Sequence, residues 1–349
     1  YFYTSLLGSY QIGQGSFWYF DLSVLILCFS SLMKNFKIRY FFLFNVLVLT
    51  TVVTLFTLYP FWKGVNISFF YFNDYLCYFG VITFILFSNI IKQKFIIFLA
   101  YCFLGLFLSY LDNRAAIILW SFVFLLIIFY HFLELFRKKK IINKFKNFIF
   151  SEGILTLSVF LASIVILLSS MIFWRGEGQL PEYIASSPLA SLVVRGKLIE
   201  VILLDFFTFK NFFFGEGWGR ISDLLLGQMN AWQFDQLTIG FNLHFHTHNE
   251  LFEHLFSLGF PGLILFILLV FFILKSSQHQ SIYNTAGWLL FFYISCFWFF
   301  WAGTLPLFAL ALGTLTLTIN NNFVNNKVNI LFSNNYFVSI IFFLIGLFC

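Results

Sequence analysis

Long apolar runs, bounded by short polar segments, dominate the chain. A helix of roughly 20 apolar residues is long enough to cross the hydrocarbon core of a bilayer. The runs are continuous rather than alternating, which favours helices over barrel strands. The pattern therefore predicts an all-α polytopic membrane protein with about ten transmembrane helices. The predicted spans lie near residues 17–33, 41–59, 69–90, 95–111, 115–135, 151–174, 251–273, 285–302, 304–320 and 334–349.

One segment interrupts this pattern. Residues 175–250 separate the sixth and seventh predicted spans and mix apolar with charged positions. A connection this long is usually functional. We therefore expect a single integral membrane domain over 1–349, with the 175–250 loop bearing the site residues. Apolar residues at helical spacing predict an amphipathic helix lying on the membrane surface within this loop: Leu198, Ile199, Ile202, Leu203 and Phe206.

The distribution of basic residues predicts the orientation. Most of the 20 Lys and Arg residues follow odd-numbered spans, including the cluster 137–140 with Lys144 and Lys146. Because basic residues collect on cytoplasmic loops, these loops face the cytoplasm and the 175–250 loop faces outward. The same rule places Tyr1 outside, which predicts at least one earlier span upstream of this sequence.

Composition excludes an ordinary soluble domain. Hydrophobic residues make up 61% of the chain, charged residues only 10%, and the mean hydropathy is +0.92. The net charge of +6 would suggest nucleic acid in a soluble protein; here the topology explains it, and we expect no nucleic-acid partner. The five cysteines fall in apolar runs, without the spacing of a metal site or a disulfide framework.

Ionisable residues near a membrane are costly, so those that persist are functional candidates. Arg114, in Asp112-Asn113-Arg114, lies between the fourth and fifth spans. It either anchors the span end at the headgroups or binds an anion. Arg195 and Lys197 lie on the long loop.

Three glycines in five positions, Gly215 to Gly219, precede Arg220. In such a turn the backbone N–H groups of Gly215 and Gly217 can face a bound anion. A plain glycine-rich turn explains the spacing equally well.

The stretch before the seventh span is rich in histidine. Alternating histidines at 244, 246 and 248 suggest a zinc site, but no cysteine is near and the segment leads directly into a helix. The alternative is that one imidazole accepts a proton, for which its near-neutral pKa suits it. Glu250 and Glu253 follow on the first turns of the helix, where either can orient or tune that imidazole.

A family resemblance begins at these residues. His248-Asn249, followed after nine residues by Gly259-Phe260-Pro261-Gly262, resembles the signature of the O-antigen polymerase and O-antigen ligase superfamily, which includes bacterial O-oligosaccharyltransferases. Asp112-Asn113-Arg114-Ala115-Ala116 resembles the family's Ser-Arg-Ala-like helix start, with Asn113 in place of Ser. Arg195, with Phe214-Gly215-Glu216-Gly217 after it, resembles the family's loop helix and Gly-x-Gly turn. The resemblance covers roughly residues 95 to 275.

The resemblance implies an integral-membrane, metal-independent glycosyltransferase without a cofactor. Its donor would be a glycan on undecaprenyl diphosphate, a polyprenyl diphosphate, used at the periplasmic face of the bacterial inner membrane. His248 would be the base, while Arg114 and Arg195 would stabilise the leaving diphosphate. The remaining substrate-binding candidates are Asn249, Lys197, Gly215, Gly217, Arg220, Glu250 and Glu253.

The shared motif leaves the acceptor open. A polymerase joins repeat units on the lipid carrier and is the expectation here, with a chain-length regulator as a candidate partner. A ligase transfers finished glycan to lipid A-core, and an oligosaccharyltransferase transfers it to protein. A different class, a transporter or flippase, predicts repeat symmetry and charged or broken helices at mid-membrane. The sequence shows no convincing internal repeat, and its polar residues cluster toward the outer face.

Overall fold

The computed structural model describes residues 16–32, 73–91, 93–111, 113–136, 139–174, 180, 182–185, 187, 189–206, 208–217, 247–278, 280–297, 305–315 and 334–348, with a few isolated positions between 41 and 48. Within these residues the regular structure is helical and no strand occurs. The helices are α1 (Ser16–Leu32), α2 (Asn73–Ile90), α3 (Lys94–Tyr110), α4 (Arg114–Leu135), α5 (Lys140–Ile149), α6 (Glu152–Phe173), α7 (Glu182–Ala185), α8 (Ala190–Phe206), α9 (Phe209–Phe214), α10 (Glu250–Gln278), α11 (Ile282–Ser295), α12 (Leu305–Leu315) and α13 (Asn334–Phe348).

These helices coincide with nine of the ten predicted spans. The second predicted span, 41–59, lies almost entirely outside the described residues. By length and composition α4, α6 and α10 are able to cross a membrane, and shorter apolar helices accompany them. The chain is thus an all-α membrane protein, while the full set of ten crossings stays a prediction.

Polar residues set where the long helices begin. The side chain of Asn113 accepts the Ala116 N–H at 3.0 Å, so α4 begins directly after it. Ser281 caps α11 in the same way, through the N–H of Asn284 at 3.1 Å. A side-chain oxygen at this position satisfies a backbone donor that the helix itself leaves unpaired.

Helix α11 occupies the centre of the bundle. Every residue from Tyr283 to Ser295 is buried, against α2, α3, α4, α6 and α10. It runs antiparallel to α4, because His131 hydrogen-bonds the Tyr283 hydroxyl at 3.1 Å while Phe122 contacts Tyr293. The start of α4 and the end of α11 therefore lie toward the same end of the bundle.

Helix α8 supplies the helix predicted in the long loop, but it does not lie alone on a surface. It packs along α6 with Val193, Leu198, Ile199 and Ile202 buried. A Cβ atom at Gly196 would lie 2.2 Å from the Ile166 carbonyl oxygen, so the two backbones are in direct contact. Apolar burial against α6 positions this helix, and its location at the membrane surface stays a prediction.

Helix α10 is broken, whereas the sequence predicted one continuous span. Gly259 has φ 69° and ψ −161°, and Pro261 follows. The His254 ring centroid lies 4.8 Å from that of Phe266, although twelve residues of unbroken helix would separate them by about 18 Å. Residues 250–258 therefore fold back onto residues 260–278. We call these two arms α10a and α10b.

Candidate functional site

The first arm begins at a tight turn containing His248 and Asn249. His248 has φ 53°, which is unusual for a residue with a side chain. Asn249 caps α10a, since its Oδ1 accepts the N–H groups of Leu251 at 3.1 Å and Phe252 at 3.3 Å. Its Nδ2 donates to the Cys296 carbonyl at 2.9 Å. One side chain thus fixes both the start of α10a and the end of α11.

Glu253 holds the other side of this turn. Its Oε2 accepts the Thr247 N–H at 2.9 Å and the Thr247 hydroxyl at 3.1 Å. Thr247 and Glu253 are both fully buried. A buried carboxylate is costly unless it is hydrogen-bonded, and these donors reduce that cost. Glu253 therefore fixes the backbone immediately before His248, as Asn249 does immediately after it.

Glu250 and His254 form a second buried pair, four residues apart and therefore one helical turn from each other. His254 Nδ1 lies 2.7 Å from the Glu250 carbonyl oxygen and 3.4 Å from its Oε2. Because a carbonyl only accepts, Nδ1 carries the proton and donates it in this contact. The imidazole also meets the edge of Tyr19 at a centroid distance of 6.1 Å. The sequence alone did not predict the pairing of Glu250 with His254.

His248 is the accessible member of this group. It is partly exposed, while Thr247, Asn249, Glu250 and Glu253 are buried around it. An imidazole in this position can exchange a proton with a molecule that reaches the turn, whereas the buried carboxylates cannot contact one directly.

The turn lies within the bundle rather than at the mouth of a straight span. The Cys296 carbonyl that accepts from Asn249 belongs to a residue whose Sγ lies 3.6 Å from the Val159 carbonyl oxygen. Val159 is an interior residue of α6, well away from either end of that helix. The break at Gly259 is what returns the chain to this depth.

The glycine-rich turn after α9 hydrogen-bonds to the end of α10a. The N–H groups of Glu216 and Gly217 donate to the Phe256 and Ser257 carbonyl oxygens at 2.8 and 3.0 Å. The Ser257 carbonyl would normally receive the N–H four residues later, but that residue is Pro261, which has none. The Gly217 N–H, predicted to face an anion, thus caps the broken end of α10a, and the Gly215 N–H donates to the Asn211 carbonyl oxygen at 2.8 Å.

Gly215 and Gly259 meet backbone to backbone at this junction. Both have positive φ angles of 69°. A Cβ atom at Gly215 would lie 2.4 Å from the Ser257 carbonyl oxygen, and one at Gly259 would lie 2.7 Å from the Phe213 carbonyl carbon. Gly262 similarly abuts the His254 carbonyl oxygen, at 2.4 Å from its own hypothetical Cβ. The glycines of both predicted motifs thus build one bend.

The two arginines lie on separate helices. Arg114 is exposed at the first residue of α4, toward the end of the bundle where α11 terminates beside Asn249. Arg195 is partly buried on α8, which packs along the second half of α6. The fold thus directs Arg114 and the His248 turn toward the same end of the bundle.

Lys197 forms an ion pair with Glu200, which the sequence alone did not predict. Its Nζ lies 2.8 Å from Glu200 Oε1, and Glu200 Oε2 accepts the Ser170 hydroxyl at 2.8 Å. The ammonium also lies 5.9 Å from the Trp174 ring centroid. Lys197 was predicted to help bind a diphosphate; its buried charge is neutralised by Glu200 instead. The three-residue spacing on a helix was the available signal.

Part of the predicted site lies outside the described residues, namely Arg220, His244 and His246. Comparisons with protein-family models, curated proteins and solved structures found no match to this chain. The geometry of the His248 turn, and the motif that contains it, are therefore the features that bear on function.

Proposed function

We propose that this protein is an integral-membrane glycosyltransferase acting on a polyprenyl-diphosphate-linked oligosaccharide, and specifically a polymerase that joins repeat units. The proposal includes ten crossings of the bacterial inner membrane and a site that faces the periplasm. The observation that carries it is the His248 turn: a partly exposed imidazole, inside a helical bundle, on a backbone fixed by Asn249 and Glu253.

In the proposed reaction, His248 accepts the proton of the acceptor hydroxyl as its oxygen attacks the anomeric carbon of the donor glycan. The bond between that carbon and the diphosphate oxygen breaks, and the polyprenyl diphosphate leaves with the bonding electron pair. A base of near-neutral pKa suits this proton transfer. A fixed backbone supports it because misplacing a reacting group by about 1 Å can slow a reaction on the order of 100-fold.

The negative charge of the leaving diphosphate must be stabilised by positively charged side chains. Arg114 is exposed at the end of the bundle where α11 terminates beside Asn249, so it is available to a diphosphate held in the lipid headgroup region. Arg195 lies on α8 and is a second candidate. Guanidinium groups pair with phosphate oxygens through parallel N–H donors, which suits both residues to this role.

The decisive experiment is a transfer assay with purified protein in lipid vesicles and a lipid-linked repeat unit as both donor and acceptor. We expect His248→Ala to reduce polymer formation by about 100-fold or more, since a positioned general base typically contributes on the order of 100-fold to 10,000-fold. His131→Gln is the matched control, since His131 lies near the opposite end of α11, bonded to Tyr283. Normal polymer from well-expressed His248→Ala protein contradicts the enzyme proposal.

Deleting the gene in the cell that produces the glycan distinguishes the possible acceptors. A single repeat unit attached to lipid A-core identifies a polymerase, whereas long glycan chains left unattached identify a ligase. Glycan missing from protein alone identifies an oligosaccharyltransferase. Only the first outcome supports the specific proposal made here.

One observation favours a second candidate, a transporter or flippase of lipid-linked glycan. Broken helices with ionisable residues at depth are typical of transporters, and α10a carries Glu250, Glu253 and His254 fully buried beside the break. Vesicles containing the protein and a fluorescent lipid-linked glycan test this reading. Movement of the glycan between leaflets that survives His248→Ala favours the transporter; its absence, with polymer formed by the unmodified protein, favours the enzyme.

A further inference from the structure

Helix α5 connects two helices that are each long enough to cross a membrane. It covers Lys140–Ile149, between the end of α4 and the start of α6. Because α4 and α6 enter and leave the bilayer at this connection, α5 lies at a membrane surface. No residue of α5 is buried by the rest of the protein.

The side chains of α5 are sorted by polarity around its axis. At about 100° per residue the apolar positions fall within one arc of roughly 120°. These positions are Ile141, Ile142, Phe145, Phe148 and Ile149. Lys144 and Lys146 border this arc on its two sides, while Asn143 and Asn147 occupy the opposite face. Lysines at such a border extend their charges into water while their stems cover apolar surface.

The C-terminal half of α5 is tied to the bundle by two contacts. Lys146 Nζ lies 2.5 Å from Glu134 Oε2 and 5.1 Å from the Tyr130 ring centroid, which joins α5 to α4. The Phe150 carbonyl accepts the side-chain N–H of Gln278 at 2.8 Å, which joins the following residue to α10. The helix is therefore held in a defined orientation, and its apolar arc has a fixed direction.

That arc is open. Ile141 is 82% exposed, Phe145 50% and Phe148 64%. The border residue Lys144 is exposed, as are Lys139 and Lys140 at the start of the helix, and no acidic residue occurs between 137 and 151. An apolar arc with basic borders is complementary to acyl chains below a layer of negative headgroups.

We propose that α5 is an interfacial helix that binds anionic phospholipid. Ile141, Phe145 and Phe148 enter the upper acyl region, and Lys140 and Lys144 bind the phosphate groups of the lipid. This surface is separate from the His248 turn, and its role does not depend on the glycosyltransferase proposal. A lipid leaflet is favoured over a protein partner because the flanking helices already place α5 at the bilayer surface.

A photo-crosslinking amino acid tests the placement. The full-length protein carries a benzophenone side chain at position 145, or at position 147 on the polar face as the matched control. Both are reconstituted in vesicles of equimolar phosphatidylglycerol and phosphatidylcholine, and the crosslinked products are identified by mass spectrometry. We expect several times more lipid adduct at 145 than at 147. Equal adduct at both positions, or protein adduct at 145, overturns the proposal.

The headgroup preference has its own test in the same vesicles. We expect the adduct at 145 to contain more phosphatidylglycerol than phosphatidylcholine. A Lys140→Gln/Lys144→Gln variant should lose this preference, by up to about fivefold per lysine. Lys210→Gln, an exposed lysine on α9, serves as the control and should leave it unchanged. A ratio of one in the unmodified protein, or no change in the double variant, contradicts the role of the lysines.

Discussion

Two buried polar clusters, at opposite ends of α11, differ in the chemistry that they use. Near its start, Asn284 Nδ2 donates to Asn89 Oδ1 at 2.6 Å and to Ser88 at 2.9 Å, and Asn89 donates to Thr314 at 2.6 Å. We call this the amide cluster. It joins α2, α11 and α12 without any formal charge.

The cluster near the end of α11 contains ionisable groups. Glu253 bonds Thr247, and His254 bonds Glu250, all of them buried. We call these four residues, together with His248 and Asn249, the His248 cluster. Removing a charge from water costs far more than removing an amide. The amide cluster demonstrates that neutral side chains are sufficient to join helices in this bundle. The additional cost at the His248 cluster is the reason for proposing a functional role there.

The largest expected effect comes from removing the bend that supports the His248 cluster. Gly259→Ala should lower the free energy of unfolding by about 3 kcal/mol or more, because a side chain strains a backbone at φ 69° and collides with Phe213. Gly153→Ala is the control, since no atom lies within 4 Å of its new methyl group. Thermal unfolding of the purified proteins measures both. Equal stability would mean that the bend is not the native conformation.

A smaller loss is expected from the amide cluster. Asn284→Ala removes the donor to Asn89 and Ser88 and should cost about 1–3 kcal/mol, as for buried polar groups left without a partner. Transfer activity per folded molecule should stay unchanged, because the cluster lies at the other end of α11. Thermal unfolding combined with the transfer assay checks this. A specific loss of activity would erase the proposed distinction between the clusters.

The smallest effect on stability is expected from Glu253→Gln. The amide oxygen of glutamine can still accept from Thr247, and removing a buried charge offsets the weaker hydrogen bonds, so the change should stay within about 1 kcal/mol. Transfer activity should nevertheless fall about tenfold or more, because the backbone before His248 loses its charge-assisted hydrogen bonds. The turnover rate, not the Michaelis constant, should carry the loss. Unchanged turnover would leave Glu253 with a packing role alone.

Much of the fold follows from local sequence. The prediction of a helix over 115–135 matches α4 at Arg114–Leu135 because a long apolar run and an Asn cap are both local signals. The same reasoning located α6 and the start of α10 at Glu250. For the candidate site, sequence identified the cluster members His248, Asn249, Glu250 and Glu253, but not the bonds between them.

The sequence contains a signal for the break in α10, but the apolar pattern around it predicted a continuous helix. Gly259 and Pro261 are two residues apart, a combination that often ends a helix. The apolar run around them nevertheless favoured a single span. The direction of the fold-back could not be read locally, because it depends on residues 212–217, which meet the bend from 40 or more positions earlier in the chain.

The sequence by itself determined that lipid surrounds this protein, where most of its helices lie, and which ionisable residues are candidates for the site. Apolar transfer free energy accumulates residue by residue along a run, so it can be read without knowing the neighbours. Only the tertiary structure decided the use of the polar atoms: Lys197 faces Glu200, Gly217 caps Ser257, and Glu253 holds Thr247. A buried polar atom needs one particular partner within about 3 Å, and folding selects that partner.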